Sequence, residues 1–504
     1  RRYTRPTRSM AKKKGGRAAK DPCKAKLALL SQVVASFKPQ KIGGTYIKED
    51  LEELQKQIAY QQKPVLELIK AQAVVDGDRF KRSDGDRKEA GEKFSAWLSK
   101  NAPDCKLGDA FEFKWDGLEE GSGIVAKRAL KRHEKFIEIP RDVMITSAQA
   151  SQSPVGAVLM KDPTFARMPN LMLAVHVMFE SLNPSSFHKS YLDALPRHFT
   201  LPLFYTTEEL SLLEGSPAHY DALKIQKQTL RQYILTTKLL KGRPTVVLKL
   251  PKFTYRDFRW AVGVVMTRQN RIPSKESSSQ SVLALIPGWD FCNFRDGELT
   301  TQYNDEVHAS ESFTMDDIKE GKQIYIYYGK RPNSKLFLFS GFVADDNKED
   351  YVEVVFSHED SDSSVSKIRK LLLQNRRLTS MIQPFRITSA TGAPSDICMT
   401  WLRICRCNKE EAATVLKAKT AVISKLSERN EAEAVALLHE VVKRTLAKYK
   451  TTLEEDEKRL KDDKSLSANA RVAIRLRMKE KAALQKCLLF KGAGDSKAGE
   501  KKAD

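Results

Sequence analysis

Between Leu285 and Asp296 the chain reads "LIPGWDFCNFRD", which sets a carboxylate (Asp290), a thiol (Cys292) and a carboxamide (Asn293) among the rings of Trp289, Phe291 and Phe294. An apolar run from Leu283 to Pro287 leads into it. Burying such polar groups costs roughly 1–3 kcal/mol each unless they are paired. The stretch therefore reads as polar chemistry held in an apolar frame. Arg268 and Asn270 in "MTRQNRIP" sit at the end of an apolar helix that Pro273 stops; the plain reading there is a cation offsetting the helix dipole. In "IYIYYGKR", strand alternation puts Tyr325 and Tyr327 on one face and Ile324, Ile326 and Tyr328 on the other. Tyr328 thus carries a hydroxyl into an apolar face and needs a partner, which backbone alone can supply. The Gly-x-Gly of "EEGSGIVAKRAL" permits close backbone approach. It lacks a third glycine and a following Gly-Lys-Ser/Thr, so by itself it is a turn and neither a dinucleotide nor a phosphate loop.

Other chemistries find no residues to carry them. No Ser/His/Asp set or paired carboxylates stand out, and none of the 8 histidines are spaced as a ligand pair on a helix. The 7 cysteines are scattered and odd in number, which suits a reducing compartment. Cys398, Cys405 and Cys407 in "CMTWLRICRC" lack a fourth nearby ligand and zinc spacing, so free thiols and no metal are expected.

What must position these groups is a chain of 504 residues, long enough for two to three cores. No run of about 18 apolar residues is present, so no membrane span is expected, and no apolar segment follows the basic N-terminus to make a secretory signal. Net charge is +23, with residues 1–20 free of acids. The plain reading of residues 1–45 is a solvated, disordered tail, with nuclear import or weak nucleic-acid contact as sharper alternatives. Met10 opens "MAKKKGG", so residues 1–9 lie ahead of an initiator-like methionine. A helical segment follows at 46–100. Short β-prone runs ("AFEFKW", "GSGIVAKRAL", "EKFIEIP") begin a β-rich unit over 101–345, interrupted by helical spacing at about 155–260. "SVLALIP" and "QIYIYYG" return to strand, and the two β-rich pieces are expected to pair so that their apolar strands are buried. Residues 346–490 read as an all-helical module and 491–504 as a flexible tail.

In this order, "EEGSGIVAKRAL", "RWAVGVVMTRQN", "LALIPGWDFCN", "EGKQIYIYYGKRPN" and "SGF" resemble the SET-domain protein methyltransferases of the Rubisco large-subunit methyltransferase-like class. Within it the chain is most similar to the branch that methylates a histidine of actin, from about Glu49 to Cys487. The resemblance implies an α+β fold: small curled β-sheets with a threaded C-terminal part and a helical insertion, followed by an all-α substrate-binding domain. It implies S-adenosylmethionine as donor, actin as protein substrate, a monomer, no metal, no membrane or specific nucleic-acid partner, and a cytoplasmic or nuclear location.

Carried over by position, donor binding falls to Arg87, Glu120, Gly121, Ser122, Arg268, Asp290, Phe291, Cys292, Asn293, Phe294, Tyr328, Ser340, Gly341 and Phe342. The substrate groove takes Arg231, Gln232, Asn270, Ile286, Trp289, Tyr303, Ile326 and Arg331, with Tyr328 and Asn270 as catalytic residues. In this reading Arg87 and Arg268 fix the donor carboxylate, Asn293 takes its ammonium, and Phe342 or Phe294 stacks on adenine. Asn270 holds an imidazole plane where lysine-directed relatives more often carry an aromatic residue. The chain departs from the pattern at Phe294, where the class has histidine, and at Ser122, where near relatives have a bulky ring. It departs again at Phe339, in place of a histidine, and at Gly288, in place of a larger apolar residue. A lysine methyltransferase of the same fold, or a binding protein weakened in catalysis, are the competing readings.

Overall fold

The computed structural model describes residues 63–77, 79–80, 84–119, 121–241, 252–277, 279–357, 363–378, 382–418 and 420–492. The basic tail expected at 1–45, the tail residues from 493 on, and Glu120 lie outside them. Helices of eight residues or more are α1 (63–76), α2 (Asp84–Asn101), α3 (Pro169–Leu182), α4 (Ala218–Lys241), α5 (Tyr255–Arg268) and α6 (Asn333–Ser340). They continue with α7 (Ser364–Asn375), α8 (Asp396–Arg406), α9 (Lys409–Lys417), α10 (Glu428–Leu446), α11 (Leu453–Asp462) and α12 (Ala468–Cys487). The strands are β1 (Phe111–Leu118), β2 (Gly121–Ala126), β3 (Lys135–Pro140), β4 (Ile145–Thr146), β5 (Asn270–Pro273) and β6 (Ser281–Leu285). After them come β7 (Asn293–Phe294), β8 (Thr301–Asn304), β9 (Ala309–Phe313), β10 (Tyr325–Ile326), β11 (Tyr351–Ser357) and β12 (Ile382–Thr388).

The expected pairing across the insertion is present. Phe136, Ile137 and Ile139 of β3 are buried and find their partner in β9, with Glu138 opposite Glu311. β4 pairs with β6, Ile145 opposite Leu285, so the chain returns to the same sheet after the helical excursion. Two three-stranded sheets result, in orders β4-β6-β5 and β3-β9-β8, beside the β1–β2 hairpin. The threading is visible in the backbone. Residues 322–326 bond on one side to β2, through Ala126 N to Lys322 O (2.9 Å) and Ile324 N to Ile124 O (2.8 Å). On the other side Arg295 N donates to Ile326 O at 3.1 Å, and β10 runs parallel to β7.

α5 sets up the corner on which the site is built. Thr254 caps it: its hydroxyl accepts from the Asp257 amide (3.2 Å) while the Asp257 carboxylate accepts from the Thr254 amide (2.8 Å). Phe258, Ala261, Val264 and Val265 bury one face, and the helix ends at Arg268, one residue before β5. Arg268 and Asn270 thus flank a fixed helix-to-strand turn.

A second core gathers Val352, Phe356, Leu373, Trp401, Leu438 and Leu484. This C-terminal region is helical but contains the antiparallel β11–β12 pair, its strands separated by α7, which the helical-period reading of 346–490 did not contain. Val352, Val354 and Phe356 point inward at period two, and helical spacing starts only after them. Ala473 and Leu476 of α12 pack with Phe337 and Leu338 of α6 and with Tyr205 and Leu213 of the insertion, closing the seam between regions. No helix among the described residues is long and apolar enough to cross a membrane.

Candidate active site

Two cavities meet at one wall. The larger, about 980 Å³, is lined by Arg87, Ser122, Arg268, Asp290 to Phe294, Tyr328 and Ser340 to Phe342 among others. The second, about 530 Å³, is lined by Arg268, Asn270, Ile286, Trp289, Tyr303, Ile326, Tyr328 and Arg331 among others. Arg268, Asp290, Cys292 and Tyr328 face both. The smaller cavity lies along β5 and β8, the edge strands of the two three-stranded sheets.

The Gly-x-Gly turn shapes the larger cavity. Gly121 takes φ +89°, open to glycine at little cost. A Cβ on Gly123 would come within 2.8 Å of Asn293 Nδ2, so this glycine is what lets the Asn293 amide pass and donate to the Ser122 carbonyl (2.9 Å). Arg87 Nη2 donates to the Ser122 hydroxyl at 2.8 Å, so the small residue at 122 holds the arginine by a hydrogen bond. Phe294 stands with its ring 5.5 Å from that of Phe342 and 5.4 Å from that of Tyr328, centroid to centroid. Its backbone keeps the β7–β10 pairing opposite Ile326. Gly341 ends α6 in the left-handed region, and its carbonyl accepts from Thr200 Oγ1 at 2.6 Å.

The floor between the cavities differs from expectation. Arg268 does not stand free for an incoming carboxylate: it pairs with the Asp290 carboxylate at 3.5 Å and donates to the Asp290 backbone carbonyl. Its guanidinium lies 4.9 Å from the Phe291 ring centroid. Tyr191 donates its hydroxyl to the other Asp290 oxygen. Burial pushes the Asp290 carboxyl above its ordinary value, opposed by Arg268 and Tyr191. Asp290 is therefore a buried brace beneath Arg268. Tyr191, 99 residues away in sequence, carries no signal that pattern reading detects.

Tyr328 donates its hydroxyl to the Cys292 carbonyl at 2.8 Å, and burial pushes its ionisation far above neutrality. It is a neutral phenol whose proton is already engaged and whose oxygen lone pairs remain. Asn270 donates its amide to the Arg268 carbonyl at 3.2 Å, leaving its side-chain oxygen to accept from a ligand. Trp289 is fixed by indole donation to Ser312 (3.1 Å) and Thr301 (3.3 Å), themselves linked at 2.6 Å. Tyr303 accepts from Arg141 at 3.2 Å.

Two expected groove residues are not brought there. Arg231 and Gln232 line neither cavity; Gln232 is buried on α4 with its amide directed to the Met168 sulfur at 3.8 Å. Spacing along a long helix does not say which face turns to the groove, and here that face of α4 packs into the insertion. Gly121 is absent from both linings as well; it shapes the turn beside the cavity.

Comparison with known proteins agrees with this architecture. Residues 359–484 match the family model described as Rubisco LSMT substrate-binding. The chain is 34% identical over 417 residues to actin-histidine N-methyltransferases of Papio anubis and Homo sapiens, spanning 80% of this chain and 69% of each relative. Against the Gallus gallus protein of that name it is 33% identical over 440 residues, 84% of this chain and 73% of the relative. The solved structure of Rubisco LSMT bound to AdoMet superposes at TM-score 0.63 with 21% identity, over 79% of this chain and 90% of that one. A SET domain of LSMT bound to lysine and AdoHcy gives 0.63 at 20%, with the same coverage.

Proposed function

The chain belongs to the family of the actin-histidine N-methyltransferases, and from that premise we propose that it methylates a histidine side chain of actin with S-adenosylmethionine as donor. The observation that carries the reading is the shared wall: a polar-and-aromatic cavity and a groove between sheet edges are both lined by Tyr328 and Cys292.

The larger cavity suits the donor's chemistry. Arg87 offers a guanidinium to a carboxylate, Asn293 keeps its side-chain oxygen for an ammonium, and Phe294 and Phe342 offer ring faces to adenine. The bound donor supplies an electrophilic methyl on a sulfonium. Transfer to nitrogen is an in-line displacement, so most of the protein's contribution is alignment, worth up to about 7–11 kcal/mol in well-oriented systems. Asn270, held by the Arg268 carbonyl, accepts one imidazole N–H and leaves the other ring nitrogen's lone pair for the methyl. Tyr328, locked on Cys292, turns its oxygen toward the point where positive charge is transferred.

Histidine is favoured over lysine by what the groove lacks. The carboxylate lining it is Asp290, committed to Arg268 and Tyr191. Tyr328 is no base either. An imidazole has its neutral nucleophilic form at pH 7, whereas an amine with pKa near 10.4 needs deprotonating first. Actin as substrate and a set of buried free thiols both suit the cytoplasm or nucleus.

The test is incubation of the purified chain with actin and isotope-labelled donor, followed by mass spectrometry of the modified residue. Label on histidine supports the proposal. Label on lysine transfers it to the lysine reading, and donor binding without any label on actin removes the substrate.

A further inference from the structure

The mouth of the groove is cationic in a way the transfer step does not use. Of the charged residues lining it, Arg268, Arg271, Arg331 and Lys335 are positive and Asp290 is the one acid, already taken up by Arg268. Lys335 reaches Asp221 at 3.3 Å. Arg271, on edge strand β5, is exposed and contacts only a hydroxyl, Ser281 Oγ at 3.2 Å; Arg331, in the loop after β10, is exposed too. Neither has a carboxylate within ion-pair reach among the described residues. Elsewhere on this surface comparable arginines do: Arg132 with Glu298 at 2.9 Å, Arg475 with Asp345 at 2.8 Å, and Arg295 with Asp316.

We propose that Arg271, acting with Arg331, selects a substrate segment that carries a carboxylate within about two residues of the target side chain. This rests on the methyltransferase reading above and narrows it to acidic sequence contexts. The reach follows from geometry. Arg271 directly follows Asn270 on the strand that borders the groove, and an extended peptide advances about 3.3 Å per residue. An acid one or two positions from a ring held at Asn270 comes within range of an arginine side chain. Guanidinium and carboxylate planes pair through two parallel hydrogen bonds, so the site favours Glu or Asp over their amides. Because the cations are solvent-exposed, the preference is screened by salt and acts strongly on the encounter rate.

The experiment measures binding, so it stands whether or not actin is the acceptor. Fluorescein-labelled 15-residue peptides with one central histidine carry Glu, Gln or Lys at both positions two residues away. They are titrated by anisotropy against the full chain saturated with S-adenosylhomocysteine. The Glu peptide is expected to bind about tenfold tighter than the Gln peptide at 50 mM salt, narrowing to about twofold at 500 mM. In Arg271→Glu the order inverts, with the Lys peptide tightest, while S-adenosylhomocysteine affinity, measured by calorimetry, stays as in wild type and certifies the fold. Arg331→Glu gives a second, independent inversion. Equal binding of the Glu and Gln peptides, or an unchanged order in a folded Arg271→Glu protein, overturns the inference. A labelled-donor assay on the same peptides reports separately whether histidine is methylated.

Discussion

Asp290, on the floor between the two cavities, and Asp456, in the seam under α12, are both sealed from water, with side-chain exposures of 1% and 0%. Their ionisation nevertheless shifts in opposite directions. For Asp456, burial pushes the carboxyl up, but Arg477 and Lys481 outweigh it and hold it below its ordinary value. Arg477 Nε approaches at 2.6 Å, Lys481 Nζ at 2.7 Å and Thr451 Oγ1 at 2.9 Å. Asp290 has a cation 3.5 Å away and one oxygen, Oδ1, that takes no hydrogen bond, so burial prevails and the carboxyl is pushed up. Burial alone does not set the sign; the number of donors does. The seam saturates its acid and gains rigidity. The floor leaves one carboxylate oxygen, Asp290 Oδ1, without a hydrogen bond.

Breaking the saturated centre has the largest effect. Asp456→Asn leaves two buried cations without a carboxylate and is expected to cost about 3–5 kcal/mol in denaturant unfolding. A loss below about 1 kcal/mol would mean that the seam tolerates unpaired charge as the floor does. On the floor, Tyr328→Phe removes the donor to the Cys292 carbonyl. It is expected to slow single-turnover transfer about 10–100-fold, or ~1.4–2.7 kcal/mol in the barrier, while stability falls only about 1 kcal/mol. An unchanged rate would show that the hydroxyl has no part in transfer. Asp290→Asn sharpens the contrast: about 1 kcal/mol of stability is lost, because the native carboxylate is poorly solvated to begin with. Donor affinity measured by calorimetry falls several-fold as Arg268 loses its brace.

The smallest effect concerns Glu480, which accepts from Ser216 (2.9 Å) and Tyr449 (3.0 Å) across the seam. Burial pushes its carboxyl up to about 8 from an ordinary 4.5. Between those values the folded chain keeps a proton that the unfolded chain has lost, so the stability contributed by protonated Glu480 is full at low pH and declines as pH rises toward 8. Glu480→Gln is therefore expected to melt at the wild-type temperature at pH 4.5 and a few degrees above it at pH 8. Equal melting at both values would show that Glu480 is ionised within the fold.

What was legible in the sequence was local. Pro273 signals a stop to the apolar helix, although the helix ends sooner, at Arg268, and Asn270–Pro273 form β5; the Gly-x-Gly turn is where the backbone must come close. The resemblance of ordered motifs then assembled Arg87, Ser122, Asn293, Phe294, Tyr328 and Phe342, which the structure does bring to one cavity. What was not legible depends on tertiary pairing. Nothing near Asp290 names Tyr191 as its donor, and Arg268 looks available until its partner folds against it. Arg231 and Gln232 share a helix whose groove-facing side the spacing does not reveal. The β11–β12 pair escaped because its strands are separated by α7, so period-two alternation shows in short pieces only.

The strand after Lys322 lies between β2 and β7, bonded to both, and it carries Tyr328 just beyond its end. During synthesis, therefore, β2 and the 285–296 stretch leave the ribosome with an open slot between them, which only the later segment can fill. Chain segments that must meet over some two hundred residues pay a high closure entropy and assemble slowly. An N-terminal fragment ending before Tyr328 carries Arg268, Asp290 and Cys292 but not the tyrosine that completes the wall, and competence arrives late, when the slot is filled.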